Sequence, residues 1–484
     1  MKKVFLLIFA LVAFANAQFF YDKHGESRGA YKDSMDYATL VELAQRFRGP
    51  ILVKKPVEGV KPRKNLEKIS QDIIQRTFDV NRDSLRDELW LEVEKNEIVK
   101  VCVDQKVLAW ETSLNSSIIN DSCIALQAPT LAGSEKINVF FPDESSPRKI
   151  NLAVSMKHLN FKNEEVLLGF NNFSEEDLKT PSRCVTDEGI SIDCSLSNED
   201  PERLTSITAS YLIDKYPVTN CEFTQVMWDS IPKESLFQEA WSLRKKTSVH
   251  QSSCNVHDTA ASEVTLYQAI KYANARSIRE GLKPYYVIIK TDAEEEKILS
   301  QGYIISYRDF NFAFNQEGFV LVSEDKTSTG YRLPYYDEWM MFARGGDKKN
   351  KVPWGDPKTV LFKTVSKYAT FTTAKPTSKK EIHLSEPVGQ KLPNGYGLYD
   401  MFGLVWEFVL MKKEISGNFN NPSCVKGGGY RIDFVNSTLP FNKCLRSINY
   451  GLYDLGSWGK YAGFRLIRNI GNNATWEKVE AKTK

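Results

Sequence analysis

The sequence lacks the residues and patterns that mark several large classes of protein. It contains 5 histidines among 484 residues and no pair of cysteines in the spacing CxxC, so a zinc site is not expected. Its 64 basic and 61 acidic residues leave a formal net charge of +3, which gives no reason to expect nucleic acid as a partner. After the first residues, no hydrophobic run is long enough to span a bilayer. What remains is a globular chain, 42% hydrophobic, with room for more than one domain.

The first 17 residues have the pattern of a secretory signal. Two lysines precede an apolar run from Val4 to Phe14, and the segment ends at Ala17 with small residues at the cleavage positions. An uncleaved anchor helix is the less favoured alternative, because this run is shorter than the ~20 residues needed to cross a bilayer. We therefore expect an exported protein of bacterial type, in the periplasm, at the cell surface or secreted, with no membrane span after cleavage.

Export changes the interpretation of the 8 cysteines. An even number of cysteines in an oxidising compartment favours disulfides over free thiols. Spacing does not prove which cysteines are joined, so proximity along the chain is the guide. It predicts the pairs Cys102–Cys123, Cys184–Cys194, Cys221–Cys254 and Cys424–Cys444.

Changes in composition along the chain indicate its segments. Short alternating runs such as KINVFF and KINLAVSM predict a small β-rich module, followed by a longer domain with short elements and long loops. The polar stretch before that module is interpreted as a helical linker. The predicted segments are a signal peptide (1–17), the helical linker (18–84), the β-rich module (85–154), the main domain (155–470) and a flexible tail (471–484).

Four helices are predicted from local signals. Two lie in the linker, around Asp36–Arg48 and over Leu66–Gln75. Two lie in the main domain, where LYQAIKYANARSIREG stops at Gly281 and PYYDEWMMFARGG stops at Gly345. Glycine suits both stops because it takes the left-handed conformation that ends many helices.

The stretch GLYDMFGLVWEFV, residues 397–409, keeps neither the period of a helix nor that of a strand. Its glycines allow unusual backbone angles, and Asp400 and Glu407 offer carboxylate oxygens, so it predicts a packed irregular loop. Together with YLIDKYPVTNCEF, GYRLPYYDEWMMFARGG, VPWGD, VKGGGYR and YAGFRLIRN, it resembles the formylglycine-generating enzyme, or sulfatase-modifying factor, domain. The resemblance covers residues 155–470.

The resemblance implies an α+β domain with little regular secondary structure, distantly similar to C-type lectin folds. It also implies a chemistry, the oxidation of a substrate cysteine in a CxPxR-type peptide with copper and oxygen. That chemistry needs two enzyme cysteines soon after a GGSW turn, because thiolates bind Cu(I) well. Positions of the family that build buried ion pairs and aromatic packing are matched by Arg332, Glu338, Trp339, Arg344 and Arg465.

The pair of catalytic cysteines is absent from its expected place. The turn here is GGGY, ending at Tyr430, and no cysteine lies between Arg431 and Lys443. Copper is therefore not expected as a cofactor, and no catalytic residue is assigned. Cys424 and Cys444 remain as candidates if a loop rearrangement joins them as a metal pair, whereas a disulfide between them is favoured.

The resemblance further implies a structural calcium ion at the loop of residues 397–409. The implied ligands are the side chain or the carbonyl of Asp400, the carbonyls of Gly403 and Val405, and the carboxylate of Glu407. Hard oxygen ligands of this kind suit Ca²⁺. The alternative is that the two carboxylates only accept hydrogen bonds from the loop.

An aromatic cleft near the former catalytic groove is the predicted binding site. Its residues are Tyr430, Arg431, Tyr450 and Tyr453, and its rings can stack on a peptide or a sugar. The sequence therefore predicts an exported pseudoenzyme that binds an envelope protein, a peptide or a glycan. One alternative is a copper- and oxygen-dependent oxidase with displaced cysteines. A third hypothesis places recognition in residues 18–154.

Overall fold

A computed structural model shows two compact units, residues 1–155 and 156–484, which we call unit 1 and unit 2. The residues that the structure describes are 18–31, 36–54, 66–168, 183–185, 191–193, 203–228, 254–255, 257–262, 264, 266–290, 303–308, 317–347, 353, 366–370, 386–410, 423–426, 443–444, 462–471 and 474–478.

Unit 1 is built mainly from strands, in two sheets. Its described elements are β1 (Gln18–Tyr21), β2 (Ser27–Tyr31), α1 (Tyr37–Arg46), β3 (Ile51–Lys54), β4 (Arg76–Val80), β5 (Leu89–Val93), β6 (Ile98–Val103), β7 (Ala109–Thr112), β8 (Ser116–Asn120), β9 (Cys123–Gln127), β10 (Gly133–Phe140) and β11 (Arg148–Val154). The seven-stranded sheet has the order β2-β1-β3-β7-β10-β11-β5, and the four-stranded sheet has the order β4-β6-β9-β8.

The core of unit 1 is shared by its two sheets. In β6, IVKVCV, every second side chain is buried, as expected for a strand with one face on a core. Trp110 and Ile137 of the seven-stranded sheet and Val99 and Ile124 of the four-stranded sheet are fully buried in one hydrophobic cluster. This arrangement confirms the prediction of a small β-rich module before the main domain.

Residues 18–84 differ from the predicted helical linker. The first predicted helix is present as α1, whose N-cap Asp36 accepts a hydrogen bond from the N–H of Thr39 at 2.8 Å. The second prediction, over Leu66–Gln75, is wrong, because its described residues contain only a 3-10 turn at Gln71–Ile73. The segment also holds β1 to β4, which pair into both sheets of unit 1. The linker prediction missed all four strands. β3 and β4 pair in parallel with later strands, and such pairing leaves no local signal, whereas β1 and β2 form a local antiparallel pair that the sequence analysis did not recognise.

Unit 2 combines small sheets with short helices. Its described elements are β12 (Met156–Leu168), β13 (Arg183–Val185), β14 (Ser191–Asp193), β15 (Arg203–Asp214), α2 (Asn220–Trp228), α3 (Leu266–Arg279), β16 (Tyr286–Lys290), β17 (Tyr303–Arg308), β18 (Glu317–Glu324), α4 (Tyr336–Arg344), β19 (Trp406–Leu410), β20 (Ser423–Lys426), β21 (Lys443–Cys444), β22 (Ala462–Gly463), β23 (Ile467–Asn469) and β24 (Thr475–Lys478). The sheets have the orders β12-β15-β23 with β24 also on β15, β13-β14, β16-β18-β17 and β21-β20-β19-β22.

The helices α3 and α4 confirm two sequence predictions. Both are followed by glycines with positive φ, 69° at Gly281 and 66° at Gly345, and the second of these is the C-cap of α4. At the start of α4, Glu338 accepts a hydrogen bond from the N–H of Tyr335 at 2.8 Å, which satisfies one free donor of the first turn. The local sequence therefore fixes both ends of α4.

Among the described residues of unit 2, one large core cluster joins β15, α4 and β19. Tyr211, Phe342 and Val409 from these three elements are all fully buried in it. The predicted flexible tail contributes as well, because β24 pairs with the first half of β15 and Trp476 packs against the cluster. The tail prediction is therefore wrong for Thr475–Lys478.

Two predicted disulfides are present, Cys102–Cys123 in unit 1 and Cys221–Cys254 in unit 2. The first joins residues that face each other across β6 and β9. Cys194 lies outside the described residues, so the pair with Cys184 stays a prediction. In the described part of the chain, no helix is both long and apolar enough to cross a membrane.

Candidate functional site

The GLYDMFGLVWEFV stretch is a tight loop that leads into β19. Asp400, Gly403 and Leu404 all have positive φ, at 54°, 75° and 60°. A β carbon on Gly403 would lie 2.4 Å from the carbonyl oxygen of Thr370, so only glycine fits this approach of two backbones. The loop is held there by a hydrogen bond of 2.8 Å from the N–H of Leu404 to the same oxygen. The structure thus confirms a packed irregular loop for residues 397–405, whereas residues 406–409 belong to β19, and there the prediction is wrong.

The carboxylate of Glu407 is committed to a buried ion pair with Arg465. Nε of Arg465 lies 2.8 Å from Oε2 of Glu407, and the terminal nitrogen Nη2 lies 2.7 Å from Oε1. Nε1 of Trp339 donates a further hydrogen bond to Oε2 at 2.8 Å. The side chains of Arg465 and Glu407 are 0% and 1% exposed. Because a buried charge is strongly destabilising without its partner, this pair is a central support of the site.

A second buried ion pair holds α4 beside the first. Arg332 donates to both carboxylate oxygens of Glu338, each at 2.7 Å, and to Oδ1 of Asn469 at 2.8 Å. Tyr211 donates to the same carboxylate at 3.1 Å. These contacts agree with the role in buried ion pairs that the resemblance implied for Arg332, Glu338 and Arg465.

Asp400 is buried but only half satisfied. Its Oδ2 accepts a hydrogen bond from the N–H of Gly389 at 2.6 Å, whereas its Oδ1 is buried with no hydrogen-bond partner. Burial raises the pKa of Asp400 to about 6, against the opposing effects of the Gly389 amide and Arg465. Glu407 raises this pKa further, and His257 lowers it. Sequence reasoning missed Gly389 and His257, because contacts over such distances along the chain leave no local pattern.

Of the two carboxylates expected to bind calcium, Asp400 has an oxygen available for a cation and Glu407 does not. Asp400 has one open, buried oxygen, which suits a cation or a proton. Glu407 does not fit the role of a ligand, because Arg465 and Trp339 already use both of its oxygens. Within the described residues, no group of three or more His, Cys, Asp or Glu side chains is arranged to hold a metal ion. Calcium binding through Asp400 and the carbonyls of Gly403 and Val405 therefore stays a proposal.

The shifted pKa of Asp400 predicts how stability depends on pH. In an unfolded chain an aspartate titrates near pH 3.9, so between about pH 4 and pH 6 the folded state binds more protons than the unfolded state. Stability from this group is therefore present at low pH and is lost as pH rises through about 6. The expected loss is on the order of 3 kcal/mol, measured as the free energy of unfolding in guanidinium between pH 4 and pH 7.

Asp400→Asn is the matched control, because asparagine keeps the shape of the side chain and cannot titrate. Its free energy of unfolding is expected to lack the part of the pH slope that Asp400 supplies. An unchanged slope in the variant would show that another group causes it. Repeating the series in 1 mM calcium tests the metal: a calcium ion on Asp400 would stabilise the native protein at pH 7 and leave Asp400→Asn unaffected.

The two cysteines on either side of the GGGY turn lie opposite each other in the backbone. Cys424 of β20 and Cys444 of β21 are partners in an antiparallel register. Opposite residues in such a pair have Cα atoms about 4.5–5.5 Å apart, a separation that a disulfide can bridge. Where the structure describes cysteine side chains, at Cys102, Cys123, Cys221 and Cys254, none is free. The predicted groove residues Tyr430, Arg431, Tyr450 and Tyr453 lie outside the described residues.

Comparison with known proteins identifies the class of unit 2. Residues 171–470 match the sulfatase-modifying factor enzyme 1-like domain, and the chain belongs to this family. It is 27% identical over 289 residues to the chaperone protein LppX of Paenibacillus barcinonensis, a match that covers 58% of this chain and 88% of that protein.

Two shorter matches fall within other named proteins, one an enzyme and one named as inactive. The chain is 38% identical over 84 residues to the formylglycine-generating enzyme of Thermomonospora curvata, covering 17% of this chain and 27% of that enzyme. It is 36% identical over 93 residues to the inactive C-alpha-formylglycine-generating enzyme 2 of Mus musculus, covering 18% of this chain and 28% of that protein. The chain thus spans little more than a quarter of either protein, and matches of this length do not separate active from inactive members.

Proposed function

We propose that this chain is a non-catalytic member of its family that binds a polypeptide outside the cytoplasm. The proposal rests on one contrast: the contacts that stabilise the domain are present, but the cysteines expected after the GGGY turn are absent. The two buried ion pairs and the tight loop stabilise the fold of the domain. The sequence after the GGGY turn, however, has no cysteine up to Lys443. A scaffold without thiolates at that position has no ligands for Cu(I) there.

A protein or peptide is the preferred ligand over a glycan. The relative from Paenibacillus barcinonensis, of which the chain covers 88%, carries the name of a chaperone protein. Chaperones bind polypeptides, so the name favours this class of ligand. The predicted groove of Tyr430, Arg431, Tyr450 and Tyr453 is the proposed contact surface, because aromatic rings bury large apolar area against peptide side chains.

Export of the protein is part of the same proposal. The disulfides Cys102–Cys123 and Cys221–Cys254 support it, because disulfides persist in oxidising compartments and are rare in the cytosol. The signal-like first 17 residues support it independently. The periplasm, the cell surface and the medium all satisfy these observations.

The alternative function is an oxidase that uses Cys424 and Cys444 as displaced catalytic thiols. It draws support from the register that places the two residues opposite each other on β20 and β21. The same register is also what a cross-strand disulfide needs, and that disulfide would remove both thiols. Whether Cys424 and Cys444 are free thiols or form a disulfide therefore distinguishes the oxidase from the binding protein.

A thiol titration of the denatured, unreduced protein decides between them. With four disulfides among the 8 cysteines, we expect no reactive thiol before reduction and all of them after it. The protein should also leave the cysteine of a CxPxR peptide unoxidised when copper and oxygen are supplied, as measured by mass spectrometry. Two free thiols at Cys424 and Cys444, together with aldehyde formation in the peptide, would establish the oxidase instead.

Binding itself is tested with unfolded polypeptides. A fluorescently labelled, reduced and carboxymethylated α-lactalbumin serves as the probe, and fluorescence anisotropy gives its affinity for the full chain. A Tyr430→Ala/Tyr453→Ala variant is expected to bind it at least about tenfold more weakly, because removal of a contact ring costs 1 kcal/mol or more. Equal binding by the variant would show that the groove is not the surface that binds the polypeptide.

A further inference from the structure

Two tyrosine rings and a carboxylate surround the ammonium group of Lys326, and the proposed function uses none of them. Nζ of Lys326 lies 4.7 Å from the ring centre of Tyr335 and 5.7 Å from that of Tyr285. It donates hydrogen bonds to Oη of Tyr285 at 3.2 Å, to Oη of Tyr335 and to Oε2 of Glu324. We call Tyr285, Tyr335 and Glu324 the ammonium cage.

The cage is supported by groups other than Lys326. Oη of Tyr335 donates to Oε2 of Glu324 at 2.6 Å, and the hydroxyls of Tyr285 and Tyr335 lie 3.2 Å apart. The guanidinium of Arg332 lies 5.0 Å from the ring centre of Tyr335 and 5.5 Å from that of Tyr285, and Glu338 fixes this guanidinium in turn. Because these contacts are made within the fold, the cage can keep its geometry when Lys326 leaves.

Lys326 itself is held at the surface. Its side chain is 59% exposed, whereas that of Glu324 is 14% exposed. It lies just after β18, in a turn closed by a hydrogen bond of 3.0 Å from the N–H of Ser328 to the carbonyl of Asp325. Moving the Lys326 side chain into solvent breaks no backbone hydrogen bond, and the ammonium of an incoming lysine would restore the ion pair with Glu324.

The chemistry of the cage selects one kind of cation. Aromatic rings attract any cation, and Glu324 adds charge attraction. A primary ammonium has three N–H donors, and the cage offers three acceptors in the hydroxyls of Tyr285 and Tyr335 and the carboxylate of Glu324. A quaternary ammonium has no N–H donor and would leave these acceptors unused.

We propose that the ammonium cage binds the side chain of a lysine on a partner protein, and that Lys326 occupies the cage in its absence. The partner lysine displaces Lys326, which swings out on its turn. This site uses no residue of the predicted groove, so it stands or falls independently of the proposed function.

Saturation-transfer NMR with n-butylammonium as the probe tests the cage in the full chain. Lys326→Ala empties the cage and is expected to raise the saturation transfer at least about fivefold over the native protein, because a cage contact is worth about 1 kcal/mol. Tetramethylammonium is expected to gain less than n-butylammonium. A peptide GGKGG should reproduce the gain, and the same peptide acetylated on its lysine should not.

Two second-site variants show whether the cage is responsible. Lys326→Ala/Glu324→Gln keeps the shape and removes the charge, and Lys326→Ala/Tyr335→Leu removes one ring. Both are expected to return the signal to the native level, with thermal midpoints that confirm a folded chain. If n-butylammonium gives the same signal in Lys326→Ala and in the Glu324→Gln double variant, or if Lys326→Ala gives no gain, the proposal is wrong.

Discussion

An Arg465→Met variant is expected to lose about 3–5 kcal/mol of stability, because it leaves the carboxylate of Glu407 buried without its counter-charge. Methionine fills much of the volume of the arginine stem, so the loss reports charge more than packing. The free energy of unfolding of the full chain in guanidinium, followed by tryptophan fluorescence, gives the measurement. The transition of unit 2 should move to lower denaturant.

Two further variants separate the charge from other effects of this substitution. Glu407→Gln/Arg465→Met removes both charges and should recover part of the lost stability, since the buried anion is gone. Lys283→Met breaks the ion pair of an exposed lysine in the same unit and should leave the transition nearly unchanged. If Arg465→Met unfolds at the native denaturant concentration, the guanidinium does not stabilise the carboxylate.

Gly403→Ala is expected to destabilise unit 2 by about 2–4 kcal/mol, through two effects. The residue has a φ of 75°, which disfavours any side chain. Its new β carbon would also lie 2.4 Å from the carbonyl oxygen of Thr370, which is backbone and cannot turn aside. The loop that carries Asp400 and Glu407 must then shift, as the same unfolding measurement would record.

Gly281→Ala is the matched comparison for this clash. Gly281 has a similar φ of 69°, but a β carbon there meets no atom within 4 Å. It should cost only about 1 kcal/mol, the price of the left-handed conformation alone. If both variants lost the same stability, the contact between Gly403 and Thr370 would contribute nothing.

The parts of the fold that the sequence predicted are those with local causes. The helices α3 and α4 follow from apolar spacing and from the glycines that end them. The disulfides Cys102–Cys123 and Cys221–Cys254 each join two successive cysteines of the chain, 21 and 33 positions apart, so proximity among the cysteines was a sufficient guide. Of the four strands that were missed in residues 18–84, β3 and β4 each pair in parallel with a strand that follows later in the chain.

The residues of the candidate site were predicted partly from the family motifs and partly from the periodicity and glycines of the stretch 397–409. The buried role of Arg465 came from these motifs, whereas the loop and its glycines were predicted from the missing period of the stretch; the structure agrees for Arg465 and for the loop up to β19. The motifs also implied that Glu407 is a calcium ligand, but they do not show which charge neutralises it. That answer required the contact between Glu407 of β19 and Arg465, which are 58 positions apart. The half-satisfied state of Asp400 likewise depends on a hydrogen bond from Gly389, 11 positions earlier in the chain.

The strand β15 has a consequence for how the protein is made. Its partners β23 and β24 lie near the end of the chain, and the N–H of Leu466 bonds to Asp214 across 252 positions. During synthesis, the sheet that contains β15 therefore stays unfinished until the residues around Leu466, 252 positions after Asp214, have left the ribosome. Unit 1 completes all of its described pairings within the first third of the sequence and can fold much earlier. Synthesis of unit 2 is thus the period in which the nascent chain is exposed to aggregation and proteolysis.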